Sequence, residues 1–352
     1  MTATIASSFT CPVPATATDC VVLGHGSGGK LSAALLDQHF LKHFEGSALR
    51  LLGDGAVVSA GETRIVVSTD TFVVSPLEFP GGNIGTLAVN GTANDLAMMG
   101  ARPSWLTAAF VIEEGLPLER LDRIIASMAA AARVAGVQIV AGDTKVVERG
   151  KGDGLFINTT GLGLANSEFS PMPQRIRAGD VVLVSGDIGV HGMTILSTRE
   201  GLEFESELAS DTACLYPLVD ALRLATHGEV SALRDPTRGG VASALNELAL
   251  ASRVGVRIDE EMLPIPAAVS GSCEMLGLDP LYVANEGNFV AFVPLQRAEA
   301  ALAALRAHPL GRHARRIGVA VAEHPGMVVM RTTFGNTRIV DLRPGDQLPR
   351  IC

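Results

Sequence analysis

The stretch Ile84-Gly85-Thr86-Leu87-Ala88-Val89-Asn90-Gly91-Thr92-Ala93-Asn94-Asp95-Leu96-Ala97-Met98-Met99 decides how this chain is read. It follows Pro80-Gly81-Gly82-Asn83, a turn-forming run that opens a helix. Ile84, Leu87, Val89, Leu96, Met98 and Met99 surround that helix rather than striping one side, so it belongs inside a fold. A carboxylate buried there is costly unless it is paired or metal-bound. Asp95 therefore needs a partner.

Working outward, other acids stand where short apolar elements stop. Leu51-Leu52-Gly53-Asp54-Gly55-Ala56-Val57-Val58 sets Asp54 between glycines. Arg64 to Thr71 reads as a strand ending at Asp70, and Val137-Gln138-Ile139-Val140 as a strand ending in Ala141-Gly142-Asp143-Thr144-Lys145. Between these strands Pro117 starts a helix with a Leu118, Leu121, Ile125, Met128, Ala132 stripe, and Gly136 stops it. Asp54, Asp70, Asp95 and Asp143, on separate elements, fit a magnesium site. Mg²⁺ takes hard oxygen ligands and shares them with substrate phosphates. Lys145 would add a cation beside the same cleft.

Upstream, Val21 to Gly24 reads as a short strand entering His25-Gly26-Ser27-Gly28-Gly29-Lys30, before a helix carrying Leu31, Leu35, Leu36, Phe40 and Phe44. Such a loop suits a phosphate. It is neither a P-loop, since Leu31 stands where Ser or Thr must hold magnesium, nor a Rossmann fingerprint, since no acid stands about 20 residues further on.

In the second half Leu155 to Leu164 alternates like a strand, and Asn166 to Gln174 is a polar, proline-bearing linker. The chain restarts at Asp180 to Gly186, with helices at Leu215 to Ala225 and Val241 to Leu250. Arg234-Asp235-Pro236-Thr237-Arg238-Gly239-Gly240 precedes the second of these, as an anion-facing helix start or a plain Pro-Thr entry. Asn285-Glu286-Gly287 interrupts an apolar strand, as a bulge aiming Glu286 into a cleft or as a hairpin turn. Strands at Ile317 to Val321, Met327 to Met330 and Arg338 to Val340 complete an α+β pattern without a regular βαβ repeat.

Composition bounds the partners. The 352 residues are 47% hydrophobic and 18% charged, which indicates a well-buried globular body with room for two domains. A net charge of −9, one Trp and two Tyr argue against nucleic acid. No apolar run approaches a membrane span of about 20 residues. Five scattered cysteines without a CxxC pair, and a leader (1–20) lacking a signal-peptide pattern, point to the cytoplasm. The tail, 343–352, carries Pro344 and Pro349 and ends in Cys352. It is expected to be extended and mobile, with a reach of about 33–36 Å over ten residues.

The loop at His25 to Lys30, Gly53-Asp54-Gly55-Ala56, Ser68-Thr69-Asp70-Thr71-Phe72-Val73-Val74, Gly91 to Ala97 and Ala141 to Val147 resemble the HypE family. So do Asp235 to Gly240, Val283 to Gly287 and the closing Pro349-Arg350-Ile351-Cys352. These are nickel–iron hydrogenase maturation factors of the PurM-like ATP-binding superfamily, and the resemblance runs from about residue 21 to the last. It implies a two-domain α+β fold of the PurM and aminoimidazole ribonucleotide (AIR) synthetase type. An N-terminal domain (21–165) would dimerise and hold ATP and Mg²⁺ through Asp54, Asp70, Asp95 and Asp143, with Asn94 and Thr144 beside the nucleotide. A C-terminal domain (175–342) would add Asp235, Thr237, Gly239, Gly240 and Glu286.

The implied activity is ATP-dependent dehydration of a carbamoyl group on Cys352 to a thiocyanate, with Glu286 and Lys145 assisting. The implied partners are a second copy of the chain, the carbamoyltransferase HypF and the HypC–HypD iron scaffold. Asn83 departs from the family's acid and Asn90 from its small thiol. A small-molecule kinase or synthetase of the same superfamily and a non-enzymatic thiol carrier are the alternatives.

Overall fold

A computed structural model describes residues 20–26, 28–44, 46, 48–49, 53–202, 208–343, 345, 348 and 350–352. Residues 1–19 of the expected leader, and Pro344 and Pro349 of the tail, lie outside them.

The first half runs α1 (Lys30–Leu35), β1 (Ala56–Ala60), β2 (Thr63–Phe72), β3 (Glu78–Phe79), β4 (Gly82–Asn83), α2 (Ile84–Met98), β5 (Ala101–Glu113), α3 (Leu118–Ala135), β6 (Gln138–Val147) and β7 (Leu155–Ala165). Its five-stranded sheet has the order β1-β2-β7-β5-β6. All pairings are antiparallel except β5 with β6, which α3 connects as a single crossover unit. Strand alternation turns Val66, Ser68, Phe72, Ile157 and Leu106 inward, where Leu87, Ile124 and Met128 of α2 and α3 complete a core. Asp70 shares that inward parity. The Asn83 side chain caps α2 by accepting from Gly85 N at 2.9 Å and Thr86 N at 3.1 Å. Thirteen of the fifteen residues of α2 are buried, as its all-round apolar pattern requires.

The second half runs β8 (Val181–Val184), α4 (Val190–Glu200), α5 (Tyr216–Ala225), β9 (Ala232–Arg234), α6 (Gly240–Ser252), β10 (Gly255–Asp259), α7 (Ala267–Leu276), β11 (Val290–Val293), α8 (Ala298–Ala307), β12 (Arg315–Val321), β13 (Val328–Arg331) and β14 (Thr337–Val340). Its seven-stranded sheet, ordered β14-β13-β10-β12-β8-β11-β9, is buried on both faces. Leu218, Leu222 and Leu305 of α5 and α8 cover one face, and Val241, Leu245 and Leu248 of α6 the other.

Several expectations are corrected. Val21 to Gly24 is no strand: a 3₁₀ turn spans Leu23–Gly26, and Val21 and Leu23 are exposed. Asp143 does not end a strand, because β6 continues through it to Val147. Glu286 sits neither on a bulge nor in a hairpin; a 3₁₀ turn (Pro280–Tyr282) and an irregular loop lead into β11. The described end of the tail, Leu348 and 350–352, is docked. Cys352 O accepts from Val73 N at 3.0 Å, Arg350 O accepts from Ser75 N at 3.3 Å, and Leu348 and Ile351 are buried in the first core. Among the described residues no helix is long and apolar enough to cross a membrane.

Candidate active site

The two halves enclose a cleft of about 340 Å³. Asp54 precedes β1, Asp70 comes from β2 and Asp95 from the cleft side of α2. Asp235, Thr237 and Arg238 come from the turn before α6, and Glu286 from the loop before β11. The loop carrying His25 and Gly28 lines the same space, as a phosphate-facing loop should. Carboxylate oxygens of Asp54, Asp95 and Asp235 lie within 4.8 Å of one another. Ser68 Oγ donates to Asp95 Oδ2 at 2.5 Å and contacts the Asp54 carbonyl at 2.8 Å, fixing two of the three.

Charge in the cleft is lopsided. Arg234 pairs with Asp54 at 2.9 Å and with Glu247, while Arg238 stands 3.8 Å from Asp70. Burial, reinforced by neighbouring acids, pushes Asp54, Asp95 and Glu286 well above the usual carboxylate range and Asp235 up to about 6. Burial also raises Asp70, against the pull of Arg238. Six acids facing two guanidiniums, three of them with oxygens within 4.8 Å of one another, form a donor set for a hard divalent cation. Glu286 is 3% exposed and its Oε1 has no hydrogen-bond partner, so a polar atom stands ready for a ligand.

Cys352 lies next door. A second pocket of about 210 Å³, lined by Thr71, Val73, Ala284, Arg350, Ile351 and Cys352, shares Arg238 with the cleft. The negative charge at Cys352 is the largest influence holding Arg238 protonated. Arg238 is thus a cation that offsets the chain end. Arg350, which lines the same pocket, pairs with Asp153 and donates to the Val73 carbonyl.

The other expected site residues lie elsewhere. Asn94 is 1% exposed and fully engaged: its Nδ2 donates to Ala213 O (3.0 Å) and Glu286 O (3.3 Å), and its Oδ1 accepts from Leu215 N (2.8 Å). It ties the two halves together rather than touching the cleft. Gly240 is buried and its amide donates to Thr237 O; a Cβ there would stand 2.6 Å from the Leu281 and Val283 carbonyl oxygens. Gly239 holds a left-handed turn at φ 71°. Both glycines are required by packing and turning at these positions. Asp143, Thr144 and Lys145 lie exposed on the edge strand β6, where Lys145 Nζ bonds both Asp143 oxygens at 2.8 Å. That bond holds the Asp143 carboxyl below its ordinary range. Within one chain the carboxylate trio is Asp54, Asp95 and Asp235, and Asp143 lies outside it.

Arg234 and Arg238 stood inside a motif read for Asp235, Thr237 and its glycines but not for its arginines. Asp211 carried no sequence signal, yet its Oδ1 accepts from Glu286 N at 3.1 Å, and burial lifts its carboxyl to about 6.

A mixed sheet with an acid-lined cleft against a second sheeted half defines the AIR synthase related class. Its N-terminal domain model matches residues 52–165 and its C-terminal domain model residues 177–330. Within that class the chain belongs to the HypE family of carbamoyl dehydratases. It is 53% identical over 330 residues to carbamoyl dehydratase HypE of Rhizobium leguminosarum bv. viciae, covering 94% of each chain. A HypE crystal structure in complex with ATP superposes with TM-score 0.80 at 47% identity, covering 95% of this chain and 100% of that one. A HypE–HypF complex gives TM-score 0.84 at 45% identity, covering 88% and 100%.

Proposed function

We infer that this chain is an ATP-dependent carbamoyl dehydratase acting on its own terminal residue, and so supplies cyanide for the iron of nickel–iron hydrogenase. The observation that carries this is the seating of Cys352 against Arg238, the residue common to the tail pocket and the acid-lined cleft. A small-molecule kinase has no use for a chain end so placed, and a passive thiol carrier none for the carboxylate trio.

Converting S–CO–NH₂ to S–C≡N removes an oxygen that cannot leave as oxide. The amide oxygen attacks the γ-phosphorus of ATP and ADP departs. The C–O bond then breaks, phosphate carries the oxygen away, and both N–H protons are lost to base and solvent. Asp54, Asp95 and Asp235, with Asp70 beside them, would hold Mg²⁺, which supplies positive charge against the phosphates. Glu286 takes an amide proton; its raised pKa makes its ionised form a stronger base than an ordinary carboxylate.

Asp143, Thr144 and Lys145 have a role only across a homodimer. The outer face of the first sheet favours one, since Trp105, Val111, Val140, Val146 and Leu164 are all at least 38% exposed there or on its edge. HypF would load the carbamoyl group and the HypC–HypD scaffold would accept the cyanide. Cys20, Cys214, Cys273 and Cys352 are free thiols, which suits a reducing cytoplasm.

Glu286→Gln tests the assignment. It should bind Mg-ATP within about twofold of wild type but lose dehydration by about 10²–10⁴-fold. Unchanged turnover removes Glu286 from catalysis.

A further inference from the structure

Residues 210–215 lack helix or strand up to Leu215, yet they are bonded in several directions. Asp211 holds the Glu286 N–H, and Asn94, bound to Ala213 and Leu215, holds the Glu286 carbonyl. The loop that presents the acid is thus gripped from both sides. Thr212 accepts from Asn90 at 3.3 Å, and Ser210 N donates to Pro80 O at 2.8 Å.

Ser210 also faces His191 of α4: its Oγ lies 2.7 Å from His191 Nδ1, and His191 Nε2 lies 3.0 Å from the Ile351 carbonyl oxygen. The carbonyl can only accept, so Nε2 carries the hydrogen and Nδ1 is the acceptor. Ser210 must then donate its hydroxyl to Nδ1 while its Oγ accepts from Thr212 N at 3.1 Å. Every proton in this relay is fixed in direction. The ring is 0% exposed and edge-on to Phe79, with centroids 5.7 Å apart at 85°. Burial holds its pKa down to about 4, so it is the neutral ring that the relay demands.

We propose that His191, through Ser210, is a positioning residue that seats the Ile351 carbonyl and so couples the docked thiol of Cys352 to the strap holding Glu286. His191 touches no reacting atom; it places the next residue's sulfur and the acid in one frame. The inference rests on the dehydratase reading given above.

The test uses the full-length protein, wild type and His191→Ala, His191→Gln and Ser210→Ala. Dehydration is measured after enzymatic carbamoylation, and iodoacetamide labelling of Cys352 on the uncarbamoylated chain, resolved at the C-terminal peptide. Loss of one buried hydrogen bond should lower kcat in His191→Ala by about 10- to 100-fold with KM for ATP within about twofold. Cys352 labelling should quicken several-fold. His191→Gln, which can still donate to the carbonyl, should recover part of both. Ser210→Ala, a smaller change that keeps the ring, should shift both in the same direction. Wild-type kcat and labelling in His191→Ala, or a glutamine variant no better than alanine, would overturn the proposal. A soluble Ser210→Ala with wild-type values would do so even where His191→Ala fails to fold. Absence of dehydration in the wild type would instead overturn the functional reading, and the labelling arm would still report on the seat.

Discussion

Replacing Ile351 by alanine probes how firmly the reactive end is held. The side chain is 4% exposed and packs into the first core beside Leu348. Losing three methylene-sized groups at about 0.8 kcal/mol each weakens docking by about 2.4 kcal/mol, before any cavity remains. That lowers the ratio of docked to released tail about 60-fold. The docked state has little margin to absorb the change. Besides Leu348 and Ile351, the described tail is held by hydrogen bonds at Cys352 O, Ile351 O and Arg350 O, the last also accepting from Arg199 Nη2 at 2.6 Å, and by the Arg350 side chain on Asp153 and the Val73 carbonyl. Each contributes about 1 kcal/mol, whereas ordering costs about 1–2 kcal/mol per residue. Single-turnover dehydration should therefore slow tens-fold in Ile351→Ala, while calorimetric titration with Mg-ATP shows a Kd within about twofold of wild type. Full turnover, or an equal loss of nucleotide affinity, would refute a tail seated by this side chain.

Asn94→Ala should cost about 2–4 kcal/mol of unfolding free energy, because it strands Leu215 N and the Ala213 and Glu286 carbonyls, and leave nucleotide affinity near wild type. Weakened ATP binding at unchanged stability would restore Asn94 to the nucleotide site. Arg234→Met should destabilise the metal-free protein by about 3–5 kcal/mol in denaturant titrations, since Asp54 and Glu247 lose their counter-charge. Added Mg²⁺ should recover part of that loss, and insensitivity to the substitution would contradict the pairing. His191 governs one acid limb of stability. Its folded pKa of about 4 lies below the ordinary 6.5, so the unfolded chain takes the proton first. Its contribution is intact above pH 6.5 and drains as the pH falls toward 4, by roughly 3 kcal/mol in all. His191→Gln should flatten the pH–stability curve by that amount, and parallel curves would exclude the assignment.

The buried helix and its acid were legible because apolar residues on every side of α2 leave a carboxylate no water to face. Strands β2 and β7 showed by alternation. Strand β5 did not, since Pro103 argues against a central strand; the ladder accommodates it with a register shift between Pro103 and Trp105. Acids at element ends showed which groups were available but not which would converge. Asp143 follows a glycine as Asp54 does, yet β6 is an edge strand and carries it away from the cleft within one chain. Asp235 and Glu286 were readable by motif alone. Asp211, Ser210 and His191 act through hydrogen bonds between distant segments, and no local periodicity encodes such pairings.

The central claim is that Cys352 carries the group that ATP dehydrates. Intact-mass spectrometry of the carbamoylated protein given Mg-ATP tests it most directly. The account predicts loss of one water per chain, localised to the C-terminal peptide, and none in Cys352→Ala. A wild-type chain that binds ATP yet keeps its full carbamoyl mass, or a Cys352→Ala chain that still loses water, would contradict it.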